Sequence, residues 1–222
     1  MPNQPGRGPY ASGKARREQI LDAAQRRFAE GGYERASLGE IARDVGITTP
    51  GLTHHFASKE ILLLAIAERR FERAAAEVRE APDGVDGLGA LRLMMHQTRV
   101  RAERPELMEL FVRVAGLASD PHSDAHRLFA ARYERVAEEL TAHLMRGVDA
   151  GAFRADADCA AIARDFIALS DGLQLQLVLL PGSVDLVAHV RAHLERVAAD
   201  IVTGDILLAE LFDEESITHT DD

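Results

Sequence analysis

Glycine and proline cut this chain into stretches, and nearly every stretch between them repeats its apolar residues at helical spacing. Ile20, Ala24 and Phe28 stand four apart, and their segment closes at Gly31-Gly32. Ser37 to Val45 reads as a short helix, with Glu40 placed to complete a capping box with Ser37. Thr48 opens another through His55, carrying Pro50 in its first turn. Ser58 caps a long segment from Lys59 to about Ala81, and further helices are expected at about 87–103, 106–118 and 124–149. Two more follow at 157–180 and 184–202, with Ser183 able to cap the second. Leu173 to Leu177 alternates with period two, but no second strand stands nearby to pair with it. The expected fold is all-α, with about nine to ten helices.

This pattern excludes several classes. The 222 residues suit one large domain or two small ones. The longest apolar run, Ile61 to Ala67, is far short of the ~20 residues that cross a bilayer, so no membrane role is expected. The first 14 residues carry Arg and Lys with no apolar stretch behind them, unlike a secretory signal. A single cysteine, Cys159, excludes an internal disulfide, and a cytoplasmic location is expected. The net charge of -10 is unevenly placed. Residues 1–60 hold nine Lys+Arg against seven Asp+Glu, and the remainder holds 17 against 29. Arg7, Lys14, Arg16 and Arg17 precede any acidic residue. Such asymmetry fits either a charged partner at the N-terminal end or a solvated tail.

Residues 37–56, SLGEIARDVGITTPGLTHHF, have the logic of a helix-turn-helix. Ile41, Val45, Ile47 and Leu52 can share a small core, Ala42 permits close approach, and Gly46 occupies the turn. The second helix then offers Thr48, Thr49, Thr53 and His54 outward, short polar side chains suited to base edges in a major groove. Over about residues 14–70 the chain resembles the tetracycline-repressor (TetR) family of transcriptional regulators. The similarity lies in Phe28-Ala29-Glu30-Gly31-Gly32-Tyr33, Ile41-Ala42-Arg43-Asp44-Val45-Gly46 and His54-His55-Phe56-Ala57-Ser58-Lys59-Glu60-Ile61-Leu62.

The resemblance implies a DNA-contacting set of Arg16, Ser37, Thr48, Thr49, Gly51, Thr53, His54 and Lys59. Ser37 and its helix end would hold a phosphate, Thr48, Thr49 and Gly51 would face the groove, and His54 and Lys59 would meet phosphates. Phe56 would lock the recognition helix onto the long helix. Where the family usually has tyrosine this chain has Thr53, which leaves the operator's sequence open. The resemblance also implies division into a flexible basic tail (1–13), a DNA-binding domain (14–58), an effector-binding and dimerisation domain (59–204), and a short helix with an acidic tail (205–222).

No nucleophile elbow, phosphate-binding glycine loop or H-E-x-x-H motif is present, so no enzyme, metal or cofactor is expected. His122 with His126 are read as solvated or singly bonded, and His189 with His193 as the polar edge of a packed helix. The family places a small-effector pocket behind the DNA-binding unit. Met94, His96, Gln97, Phe111, Val114, Tyr133, Phe166 and Leu173 are its candidate lining, with Arg99 a further polar candidate. The stripes Ile162, Phe166, Leu169, Leu173, Leu177 and Val187, Val190, Leu194, Val197, Ile201 are expected to form a four-helix homodimer interface. The expectation is a ligand-responsive dimeric repressor of a palindromic operator in double-stranded DNA, released by a small, largely apolar effector. The alternative is a helical ligand-binding or adaptor protein that no longer reads DNA.

Overall fold

The computed structural model describes residues 9–81, 87–204 and 211–212. Nine helices run through them: α1 (Pro9–Gly31), α2 (Leu38–Asp44), α3 (Thr49–His55), α4 (Lys59–Glu80), α5 (Gly89–Ala102), α6 (Pro105–Leu117), α7 (Asp124–Asp149), α8 (Cys159–Leu179) and α9 (Leu186–Ile201). The only pairing of extended backbone among the described residues is an isolated antiparallel bridge between Phe153 and Val202. The period-two stretch at 173–177 is helical, inside α8.

Two local expectations change. Helix α1 begins at Pro9, so residues 9–13 of the expected tail are helical, while Arg7 lies outside the described residues. The cap of α9 is Asp185, which accepts from the Ala188 N–H at 2.9 Å, and Ser183 instead closes a turn onto the Leu180 carbonyl. Most of 205–222 is also outside the described residues. Leu211 and Phe212, however, are buried in the core, and Arg99 and Arg191 both donate to the Phe212 carbonyl.

The chain forms two compact units that divide inside α4, between Arg70 and Phe71, rather than at its start. In the first unit, Ile20, Leu21, Ala24 and Phe28 bury one face of α1. Ile41 and Leu52 are fully enclosed, so α2 and α3 cross over a small apolar centre. Gly46 makes the turn with φ 70°, a left-handed conformation that a β-carbon disfavours.

Three polar ties brace this unit. Arg27 makes a two-pronged ion pair from α1 to Asp44 at the end of α2, at 2.6 and 2.7 Å. The Arg27 hydrogen bond holds the Asp44 carboxyl below the usual carboxylate range. Arg69, almost buried on α4, donates to Glu18, Asp22 and Gln25 on α1, at 3.1, 2.7 and 3.0 Å. Lys59, in the first turn of α4, donates to the carbonyls of Tyr33, Glu34 and Ala36, at 2.9, 3.2 and 3.2 Å.

In the second unit α5 packs on α7 and α9, and α8 packs on α6, α7 and α9. Leu91, Met94, Leu140, Leu144, Phe153, Phe166, Val190 and Leu194 belong to one apolar core. Cys159 is buried there, and burial pushes its thiol up, away from the reactive thiolate. The segment after α9 returns to the α7–α8 connection, where Arg154 N–H meets the Ile201 carbonyl at 2.7 Å. Close packing there requires Gly147: a β-carbon on it would stand 2.4 Å from the Phe153 ring.

Replacing Gly147 with Ala is expected to force the Phe153 ring aside at a cost of about 1–3 kcal/mol. In a thermal melt followed by circular dichroism the midpoint should fall by several degrees. An unchanged midpoint would mean the ring has room to move.

Candidate nucleic-acid interface

The recognition geometry starts from two anchors. Leu52 and Phe56 are 0% and 2% exposed, so one face of α3 is fixed inward. Thr48, Thr49, Pro50 and His54 are consequently exposed on the opposite side, with Gly51 and Thr53 half-buried beside them. Thr48 caps the helix by accepting the Gly51 N–H at 3.1 Å. Gly51 has little room for a side chain, since a β-carbon would lie 3.3 Å from the Thr48 hydroxyl oxygen. Thr53 folds its hydroxyl back onto the Pro50 carbonyl at 3.1 Å. A short helix with a polar, exposed N-terminal half is a shape that a major groove admits.

Several of the phosphate roles implied by resemblance meet a different arrangement. An ammonium group has three N–H donors, and all three of Lys59 are used on the loop carbonyls described above. Its Nζ also stands 4.4 Å over the Tyr33 ring. Lys59 therefore binds the α1–α2 loop to α4 and has no donor left for a phosphate.

The Ser37 hydroxyl accepts the Glu40 N–H, and the Ser37 backbone N–H donates to the Glu40 carboxylate at 3.0 Å, completing the capping box; the hydroxyl also donates to that carboxylate at 2.8 Å. Those bonds hold the Glu40 carboxyl below its ordinary range, so a negative charge occupies the place where Ser37 was expected to meet phosphate. Arg16 is partly engaged as well: its Nη1 donates to the Val45 carbonyl at 3.2 Å, bracing the turn. Arg17 lies 5.0 Å over the Phe56 ring. Lys14, Arg26 and Arg43 are further exposed cations of this unit, outside the set implied to contact DNA; Lys14 belongs to the basic N-terminal run, and Arg26 carries no motif.

The expected effector residues do not form one set. Met94, Phe166 and Leu173 lie in the core, and Phe111 and Val114 are buried. Gln97 donates to the Ala74 carbonyl at 3.3 Å. His96 is exposed, which removes it from any interior lining. Tyr133 donates to Asp171 Oδ2 at 2.7 Å. Arg132, absent from the expected set, stands 4.8–5.1 Å over the Phe71, Phe111 and Tyr133 rings and 6.0 Å from Phe129, and it pairs with Asp171 at 3.3 Å. The legible signal was a cation on an inward stripe, since Ala125, Phe129, Arg132, Val136 and Leu140 recur at helical spacing.

The expected interface stripe also changes. Phe166, Leu173, Val190, Leu194 and Ile201 are buried by their own chain, and Ile162, Leu169, Leu177, Val187 and Val197 pack against the same core. Spacing identified apolar stripes but not which surface covers them. Among the described residues, no three His, Cys, Asp or Glu side chains are grouped to hold a metal, and no helix is long and apolar enough to cross a membrane. His126, expected to be solvated or singly bonded, places Nδ1 3.0 Å from the Ala118 carbonyl.

A helix-turn-helix with an exposed second helix, followed by a helical body, defines a class of DNA-binding transcriptional regulators. Residues 20–66 match the model of bacterial regulatory proteins of the tetR family, and residues 90–201 match the C-terminal model of BetI-type transcriptional repressors. The chain belongs to the TetR family. It is 34% identical to the HTH-type transcriptional repressor Rv1474c of Mycobacterium tuberculosis over 145 residues, 64% of this chain and 71% of the relative. It is 28% identical to the regulator TtgR of Pseudomonas putida, over 78% of this chain and 85% of that one.

The fold matches SmeT, repressor of a Stenotrophomonas maltophilia multidrug efflux pump, with TM-score 0.67 and 26% identity over 89% of this chain and 93% of SmeT. A structure of SmeT with triclosan matches with TM-score 0.68 and 26% identity over 90% of this chain and 95% of that one. These relatives are regulators, not enzymes.

Replacing Lys59 with Met should leave the dependence of DNA affinity on salt unchanged while lowering the melting temperature. Loss of three charge-assisted bonds to carbonyls is expected to cost about 1–3 kcal/mol. A shallower salt slope at an unchanged melting temperature would instead place the ammonium on phosphate.

Proposed function

We propose that this regulator is a homodimeric repressor that leaves a palindromic operator when a small molecule binds its second unit. The observation that carries the DNA reading is the α3 surface: Leu52 and Phe56 are anchored while Thr48, Thr49, Pro50 and His54 face solvent. Thr48, Thr49 and Gly51 are assigned to the groove-facing start of that helix, His54 to a phosphate, and the exposed Lys14 and Arg43 to the surrounding electrostatic contact. One such helix reads too few bases, and a two-fold pair would span half-sites about 34–36 Å apart or a multiple of that. A cytoplasmic location follows from this function.

Helix α8 supports pairing. Its inward face, from Cys159 through Leu173, is buried by its own chain. Its outward face nonetheless carries Ala161, Ala168, Leu175 and Leu179, with Leu175, Leu179 and Leu180 exposed by 44%, 65% and 54%. An exposed apolar end on a helix whose other face is already buried calls for a cover, even with Arg164, Asp165 and Gln176 exposed beside it. Small residues on the outer side of α9, Ala188 and Ala199, would let a second copy approach closely. The outward face, with its exposed leucines, is therefore the surface to test.

Release is assigned to α4, which is continuous from Lys59 to Glu80 and so contributes to both units. A ligand that displaces its C-terminal half would move the half held by Arg69 and Lys59. A coupling of about 1–3 kcal/mol would weaken operator binding roughly 5- to 150-fold. Triclosan bound by SmeT supports a small-molecule effector for a related chain.

Purified protein should retard the DNA upstream of its own gene in the presence of excess competitor. Failure to do so would favour the helical ligand-binding or adaptor reading. Replacing Leu175 and Leu179 together with Glu should give a folded monomer by light scattering, with weakened operator binding. A persistent dimer would place the interface elsewhere.

A further inference from the structure

Asp171 on α8 is the hub of a polar cluster inside the second unit, and its acceptors are already engaged. Arg132 approaches both of its oxygens, at 3.4 and 3.3 Å. The Tyr133 hydroxyl donates to Oδ2 at 2.7 Å, and Gln174 Nε2 donates to Oδ1 at 3.3 Å. Burial and the Asp171 bond push the Tyr133 hydroxyl up to about 12, so it stays protonated and keeps donating. One carboxylate thus serves four donors.

A second cation stands in the same field with no carboxylate of its own. Arg101, in the last turn of α5, is half-buried as a residue, but its Nη2 is sealed from solvent and has no hydrogen-bond partner. Asp171 and Glu77 act on it favourably and Arg132 unfavourably. Burial first, then the neighbouring Arg132 cation, pull Arg101 down to about 10, which still leaves it charged at neutral pH. A buried guanidinium donor without an acceptor costs more than an apolar side chain of similar size, so fold stability does not account for Arg101. One turn of α8 nearby leaves another polar group unmet: Ser170 is 5% exposed and its Oγ is sealed without a partner. Around Arg132 the surroundings are aromatic, with Phe71, Phe111 and Phe129 in mutual ring contact at 5.3–6.4 Å.

We propose that Arg101 receives the carboxylate of a small aromatic acid, whose apolar body lies against the Phe71–Phe111–Phe129 rings. This names the chemical class of the effector and rests on the ligand-released reading above. The anion supplies the acceptor that the chain withholds from Arg101. A carboxylate paired with guanidinium is a strong, directional contact, and the rings supply the apolar remainder of the site. Arg132 keeps its own partner, Asp171, and serves to hold the rings and the local positive potential in place.

The test uses the full-length protein and two probes of matched shape, 2-naphthoate and the neutral 2-naphthamide, in thermal-shift and calorimetric titrations. Naphthoate at millimolar concentration should raise the melting temperature of the natural chain, and naphthamide should not. In Arg101→Met the ligand-free protein should melt at the same temperature or higher, because an unmet buried cation has gone, while naphthoate affinity falls roughly tenfold or more. Arg101→Lys, which keeps the charge but not the fork, should retain part of the binding.

A natural chain that naphthoate does not stabilise, or an Arg101→Met chain that melts lower yet binds naphthoate unchanged, overturns the proposal. If naphthamide both binds and releases upstream DNA, the carboxylate class is wrong and the ligand-released reading stands. If naphthoate binds through Arg101 while DNA affinity is unmoved, the anion site stands and the release mechanism fails.

Discussion

The structure depends most on how the first three turns of α4 are held. Arg69 reaches three side chains of α1, and Lys59 reaches three carbonyls of the loop that α1 feeds into. Between them lie Leu62, Leu63 and Ile66, all nearly or fully buried. Polar ties at both ends and apolar burial in the middle make residues 59–70 part of the DNA-reading unit. Continuity of the helix makes residues 71–80 part of the other.

Local signals with a stringent backbone requirement were the most legible in the sequence. Gly46 adopts a positive φ, Ser37 and Glu40 form the capping box their spacing allows, and Leu52 is buried on the inward face of α3. Helix existence followed from spacing throughout. Side-chain allegiance was less legible. Lys59 occupies a position implied to meet phosphate, yet the loop at Tyr33–Ala36 lies within reach of all its donors, a proximity that only the three-dimensional path of α1 creates. The stripe of α8 suffers from a similar ambiguity. Phe166 and Leu173 face the chain's own core and Leu175 and Leu179 face outward, so both sides are apolar and periodicity cannot rank them.

Charged residues on inward stripes carried information that a hydrophobic reading passes over. Arg101 follows Leu91, Met94 and Gln97 at spacings of three, three and four, and Arg132 follows Phe129 at a spacing of three. Each is a local conflict between residue type and position, and such conflicts gather at functional sites because packing alone would remove them. The acidic character of the rest of the chain serves a separate purpose: residues 61–222 carry 17 basic against 29 acidic residues, which disfavours docking of that portion on DNA and leaves contact to the other end.

Hydrogen exchange on Arg69→Met compared with the natural chain tests the hold on α4 most directly. Loss of that side chain should speed exchange in α1 and in the first turns of α4 and weaken DNA retardation, while α5 to α9 keep their protection. Unchanged exchange in α1, or loosening spread evenly over residues 89–201, would contradict a DNA-reading unit held together through Arg69.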